Sequence, residues 1–347
     1  MCLIGYTIKI VNEFVKMENS YEIKFDTVKI RTNINYFKKE LITFNSYHNH
    51  RTGKLIKKSY NSKIDNSIPY NIYIGVNYIN NSLTIEFSSK ILLNDYPKLI
   101  TKDTVLQCLE NLNQLGICEI DVEAIHKDCF FAEIHTTKDV QMELTDNTLN
   151  ELNTIVNNYF RFNWKHYEYS GIIFNKDVES KDCKESIKIY NKYKEITHTK
   201  NRKFLNLLSK PNDICNYFDG ITRFETVFDT PEKIKNALGI PDTHINNIFN
   251  PTKNAILEQF NKVFGDGTIK NQVPAGNTAD DFLIKSTLLW YNHDLKTIKQ
   301  ILRQCYSAKS RRCLSNKIKR IQQVSFDMQN NNKKSTVFSD IRNLLNN

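Results

Sequence analysis

No stretch of this 347-residue chain has the length and apolarity of a membrane span. Its opening, Met1-Cys2-Leu3-Ile4-Gly5-Tyr6, lacks both a basic leader and a long apolar run, so no export signal is expected and the cytoplasm is the expected location. The eight cysteines (Cys2, Cys108, Cys118, Cys129, Cys183, Cys215, Cys305, Cys313) form no Cys-x-x-Cys pair and no zinc-like spacing with histidine. They read as reduced thiols. Internal repeats are absent, and the one biased tract, Asn330-Asn331-Asn332-Lys333-Lys334, reads as a linker. Acidic side chains are outnumbered: 48 Lys and Arg stand against 38 Asp and Glu, a net charge of +10. Clustered cations release counterions when they neutralise phosphates, so nucleic acid is the first candidate partner, although a solvated surface has the same composition.

The opening third reads as strands and polar loops: Tyr6 to Ile10, Tyr21 to Phe25, Asn71 to Val76 and Leu83 to Phe87, the last two joined by the turn Asn80-Asn81-Ser82. From Thr101 the period becomes helical, with Val105, Cys108, Leu109, Leu112 and Leu115 on one face and Gly116 as the stop. Ile117 to Ala124 then alternates like a strand, with Glu119, Asp121 and Glu123 on one face; three such carboxylates repel unless cations sit among them. A second helix is expected over Leu149 to Phe160, a strand over Gly171 to Asn175, a short basic helix over Arg202 to Leu208, and a strand over Ile221 to Phe228.

Ser186 to Glu195 carries the most chemistry. Ile187 and Ile189 alternate with Lys188, Tyr190 and Lys192, which places a phenol between two ammonium groups on the open side of a strand. A tyrosine titrates near 10 and attacks poorly unless cations favour the phenolate. A divalent cation held by strand carboxylates would bind a phosphate oxygen, and all-oxygen ligation suits Mg²⁺ or Mn²⁺. Past Thr230-Pro231, which opens a helix ending at Gly239, nearly everything reads as helix. Residues 294–324 resemble two helices about a Ser-Ala-Lys-Ser turn and carry Lys296, Lys299, Arg303, Lys309, Arg311, Arg312, Lys317, Lys319 and Arg320, the surface a helix-turn-helix needs on a duplex.

Four segments, in order, resemble one family. Tyr190-Asn191-Lys192-Tyr193-Lys194-Glu195 is similar to the Tyr-x-Lys-x-x-Glu segment of the filamentous-phage gene II/gene X replication initiators, relatives of the rolling-circle initiators of plasmids. Gly220-Ile221-Thr222-Arg223-Phe224-Glu225 resembles their Gly-x-x-Arg-Phe-Glu strand, Glu119-Ile120-Asp121 their Arg-Ile-Asp strand, and Glu86 to Lys90 an upstream Glu-to-Ser-x-x-Lys segment. The resemblance implies an enzyme that nicks one origin strand through a tyrosine, holds the 5′ end as phosphotyrosine, leaves a 3′-hydroxyl primer and later rejoins ends. Tyr190 would be the nucleophile, Lys192 its electrostatic helper, and Asp121, Glu86 and Glu195 the metal ligands. Lys188 and Arg223 would join the basic helices in binding DNA. Double- and single-stranded origin DNA, a host helicase and a polymerase are the implied partners, in a bacterial host cytoplasm. Glu119 stands where the family has arginine, and no His-hydrophobic-His motif is visible.

The expected fold is α+β: residues 1–230 form an antiparallel sheet with helices on one face, as in rolling-circle nickases, and residues 231–347 form a smaller, basic, all-helical DNA-binding domain. The alternative is an origin-binding initiator without catalysis. A tyrosine recombinase is excluded by order, because Tyr190 precedes the basic region. A sheet face that gathers Tyr190, Asp121 and Glu86 favours catalysis; scatter favours binding alone.

Overall fold

The computed structural model describes residues 21–154, 162–167, 171–176, 185–264, 279–291, 293–307, 310–330 and 337–346. In chain order the strands are β1 (Phe25–Asn33), β2 (Phe37–Glu40), β3 (Asn45–His48), β4 (Leu55–Asn61), β5 (Ile72–Asn77), β6 (Ser82–Ser88), β7 (Cys118–Ile120), β8 (Phe130–Gln141), β9 (Phe162–Tyr167), β10 (Gly171–Lys176), β11 (Glu185–Asn191) and β12 (Ile221–Phe228). Ten of them form one antiparallel sheet in the order β3-β4-β5-β6-β1-β8-β12-β11-β10-β9, while β2 and β7 pair separately. The class is α+β.

Alternation along each strand splits the sheet into two unlike faces. Val28, Ile30, Ile72, Ile74, Ile85 and Phe87 are fully buried on one side of β1, β5 and β6. On β10, β11 and β12 the same side carries Ile172, Ile187, Ile189 and Phe224. Helix Ala255–Phe264 brings Phe260 to 6.3 Å from Phe224, ring to ring, and helix Val337–Asn346 adds Phe338, Ile341 and Leu345 to that cluster. The other face holds Lys29, Glu133, His135, Lys188, Arg223 and Glu225.

The sequence pattern located several elements correctly. Helix Val105–Gln114 buries Val105, Cys108, Leu109 and Leu112, and Gly116 follows with φ +69. Thr230 caps helix Pro231–Leu238 through its side chain, and Gly239 ends it at φ +67. Other expectations need correction. The strand expected over Ile117 to Ala124 stops at Ile120: the Asp121 carboxylate accepts from the Ala124 amide at 3.1 Å and opens helix Val122–Lys127. The strand expected from Tyr21 begins only at Phe25. Pro211 does not merely end the basic helix Arg202–Leu205; it opens a further helix, Pro211–Tyr217, at a position where its missing N–H costs nothing. The second expected helix runs over Asp146–Thr154, its remainder lying outside the described residues, as does the strand expected at Tyr6 to Ile10.

Helices do not keep to one face. Segments 89–98 and 192–217 roof the charged face over Arg223, which is 0% exposed beneath Tyr96 and Phe218. The boundary expected near 230 does not divide the cores either: Ile234, Leu238, Ile245 and Ile248 share the larger core with the strands. A separate core of Ile284, Leu288, Leu295, Ile298, Ile321 and Val324 joins helices Ala279–Trp290, Leu295–Cys305 and Arg311–Asn330. Among the described residues no helix is long and apolar enough to cross a membrane.

Candidate functional site

Tyr190 lies near the end of β11, opposite Arg223 of β12. Its phenol donates to Glu225 Oε2 at 3.1 Å. Lys188, on the same face of β11, donates to Glu225 Oε1, and His135 Nδ1 lies 3.4 Å from that oxygen. The imidazole also spans to Glu133, with Nε2 3.4 Å from Oε1. Glu133 in turn accepts from Lys29 at 2.5 Å, and Lys29 pairs with Glu86 at 2.9 Å. A file of alternating charge thus crosses β6, β1, β8, β12 and β11. A bulge helps to build it: between Lys29 and Ile30 the β1–β8 register slips past Ala132, setting Glu133 opposite Lys29.

Burial and charge set the protonation of the file. Burial opposes charge on His135, but its hydrogen bonds to Glu133 and Glu225 prevail and push its pKa up to about 9. Glu225 is raised by burial yet held well below the usual carboxylate range by Lys188 and His135. Burial, with the Glu225 carboxylate beside it, pushes Tyr190 well above 10. At neutral pH the site therefore holds a neutral phenol donating to an ionised carboxylate that is flanked by two cations, which corrects the expectation that Lys188 and Lys192 favour the phenolate: burial and the Glu225 charge outweigh them.

A second group of charges roofs Tyr190. Arg223 donates through Nε and Nη2 to the two oxygens of Asp139 at 2.6 and 2.7 Å, and through Nη1 to Asp26 at 2.8 Å and the Tyr96 hydroxyl at 3.3 Å. Such a planar fork makes a buried guanidinium tolerable. Beyond β11 the side chain of Asn191 accepts from the Lys194 amide and opens helix Lys192–Ile196. Lys192 is thus not the next strand residue. Lys192 is 2% exposed, and its ammonium pairs with Glu195 at 2.6 Å and lies 5.7 Å from the Tyr190 ring centroid. Glu195 also takes Lys200 at 3.4 Å and Asn201 at 3.1 Å, and Asn201 accepts from Lys90 at 2.8 Å. Burial lowers Lys90 to about 8 against the pull of Glu195. A cleft of ≈ 250 Å³ opens among Asp26, Lys90, Tyr96, His135, Lys188, Tyr190, Lys192, Glu195, Lys200 and Glu225. Its cationic side chains outnumber its carboxylates, which suits an anion beside the phenol.

The structure gathers Tyr190, Lys188, Lys192 and Glu195 about the cleft, but Arg223, expected to bind DNA, is fully buried in its fork with Asp139 and Asp26, and the expected ligand set is not assembled. Glu86 shares the face yet stands four strands from Tyr190, roughly 19 Å at the usual spacing. It is held by Lys29 and by Asn71 at 2.6 Å. Asp121 sits beyond the small β2–β7 pair and binds Lys38 at 3.1 Å; Glu119 binds Lys39 at 2.9 Å. Among the described residues no three His, Cys, Asp or Glu side chains converge as metal ligands. Asp121, Glu86 and Glu195 therefore do not fit a single divalent-cation site.

The sequence pattern assigns no role to His135, Glu133, Asp26, Asp139 or Lys29, and takes in Lys90 only as the end of the Ser-x-x-Lys segment. The signal lay in Phe131-Ala132-Glu133-Ile134-His135-Thr136, where Ile134 separates two titratable groups on one face. In the helical unit Lys317 pairs with Asp280, and Arg320 grips Asp281 at 2.7 Å, so these two brace helices; Lys296, Arg303, Arg311, Arg312 and Lys319 are exposed and Lys299 is half-buried. No protein-family model matches the chain, and no curated protein matches it.

Proposed function

We propose that the chain is a rolling-circle replication initiator that nicks DNA through Tyr190, on an α+β scaffold of the nickase type. The observation that carries the reading is the 3.1 Å hydrogen bond from the Tyr190 phenol to Glu225 at the wall of a cleft rich in lysine. A nucleophile and its base are within reach, and the base is oriented by Lys188 and His135.

In the proposed step a phosphodiester enters the cleft and its non-bridging oxygens meet Lys188 and Lys192. Tyr190 Oη forms the bond to phosphorus while its proton passes to Glu225. The bond from phosphorus to the 3′-oxygen breaks, the 3′-oxygen keeps the bonding pair, and it takes a proton from the lysine side of the cleft, where Lys90 at about 8 is matched to the task. The product is a 5′-phosphotyrosine and a free 3′-hydroxyl; the reverse reaction rejoins ends. No step is assigned to a cation. Mg²⁺ or Mn²⁺ enters through the family resemblance alone.

Supercoiled DNA carrying the cognate origin, incubated with Mg²⁺ or Mn²⁺, is expected to yield a covalent protein–DNA adduct that Tyr190→Phe abolishes and Glu225→Gln reduces by roughly 10²-fold or more. An undiminished adduct in Tyr190→Phe would sink the reading. The second reading, origin binding without catalysis, is favoured by the scatter of Asp121 and Glu86 away from Tyr190. It predicts footprints on the origin from wild type and Tyr190→Phe alike, with no adduct from either.

A further inference from the structure

We infer that Tyr47, Lys57 and Tyr73, at the β3–β5 edge of the sheet, form a stacking platform for single-stranded DNA. The inference rests on the nucleic-acid partner proposed above, and it assigns that partner a surface remote from Tyr190.

Three observations converge. The Lys57 ammonium lies between two rings, 6.0 Å from the Tyr47 centroid and 5.3 Å from that of Tyr73. Tyr47 is 52% exposed, so the pair opens to solvent. The Tyr73 ring lies against its own strand over Gly75: a Cβ there would stand 2.6 Å from the phenol oxygen and 3.0 Å from two ring carbons. Glycine thus provides the space in which the ring lies down on the sheet.

The charge around the rings selects the occupant. Lys57 supplies the cation at the rings, and the exposed turn from β3 to β4 adds Arg51 and Lys54 with no acidic residue between them, whereas Lys58 points to the opposite face and is bound to Glu40. Cations beside exposed rings are what an unpaired strand requires, since a base stacks on the π-face while its phosphate meets the ammonium. A duplex keeps its bases stacked on one another and presents no face to these rings. On entry of a base, Lys57 would exchange its ring contacts for the phosphate. Tyr73 pairs with Glu86, and Glu86 with Lys29, so the platform shares the face of Tyr190. It lies five strands away, roughly 24 Å, where a strand held at the nick could run.

The test reads binding without cleavage. Fluorescein-labelled (dT)12 is titrated with the full chain in EDTA, across a range of salt, beside a 12-base-pair duplex. Tyr47→Ala/Tyr73→Ala is expected to weaken (dT)12 binding roughly tenfold or more and leave the duplex unchanged, while Tyr47→Phe/Tyr73→Phe, which keeps the rings, stays within about twofold of wild type. Tyr47→Ala alone, at a half-exposed position of the edge strand, should weaken binding several-fold with little change in the urea midpoint. Lys57→Ala should lower the salt slope by roughly 0.7, the value for one phosphate on a single strand. Equal (dT)12 affinity for wild type and the alanine pair overturns the platform, as does a phenylalanine pair that binds as weakly as the alanine pair. A protein that forms no Tyr190 adduct but shows the ring dependence leaves the platform standing and removes only the nicking reading.

Discussion

Gly171 faces Tyr190 across the β10–β11 ladder so closely that a Cβ on the glycine would stand 2.4 Å from the tyrosine Cβ and 2.9 Å from the Ile189 carbonyl oxygen. Backbone would have to yield, not the tip of a flexible side chain. Gly171→Ala is expected to cost roughly 1–3 kcal/mol, as overpacking does, and to lower adduct yield by shifting Tyr190 from Glu225. Urea unfolding and the adduct assay check the two effects separately.

His135 makes stability fall with rising pH. Its folded pKa of about 9 lies above the ordinary 6.5, so the imidazolium stabilises fully below about 6.5 and the contribution is lost as pH climbs through about 9. That interval is worth on the order of 3 kcal/mol. Lys90, lowered to about 8, acts in the opposite sense and gains stability above that pH. The His135 share is therefore read as the difference between wild type and His135→Gln, measured by urea midpoints from pH 6 to 9.5; the difference should shrink across the range.

Arg223 ties β12 to β8 and β1 through Asp139 and Asp26. Arg223→Ala leaves two carboxylates without their cation and should cost roughly 3–5 kcal/mol. Arg223→Lys, with no fork to hold both oxygens of Asp139, should recover only part of it. Chemical denaturation of the three proteins would establish the order.

Exposed and braced cations of the helical unit should differ in kind. Removing Arg311, Arg312 or Lys319 should flatten the salt dependence of duplex binding by roughly 0.9 for each phosphate no longer neutralised, with little change in melting. Removing Arg320, bound to Asp281, should instead lower melting. Anisotropy against salt and thermal unfolding, run on both sets, discriminate them.

Local periodicity was enough for β5, β6, β11, β12 and the helices at 105 and 231, because each carries its own alternation or cap. The long central strand β8 was not expected at all: Thr136, Thr137, Lys138 and Asp139 interrupt its apolar run, and the sheet on either side supplies the burial that composition lacks. Asp121 misled because an alternating carboxylate and a helix cap look alike until Ala124 is seen donating to it. Glu225 stood in view within Arg-Phe-Glu, but its partnership with Tyr190 depends on β11–β12 register, which no single strand encodes.

The helix Val337–Asn346 packs into the same core as Phe260 and Phe264, from which the chain departs before the three-helix unit begins. In connectivity that unit is a guest: its host is complete only when residues on both sides of it are present. Cutting the chain after Phe264 would strip Phe338, Ile341 and Leu345 from the host's core. The three-helix unit is thus an insertion in the chain whose own core shares no residue with the one behind the tyrosine's sheet.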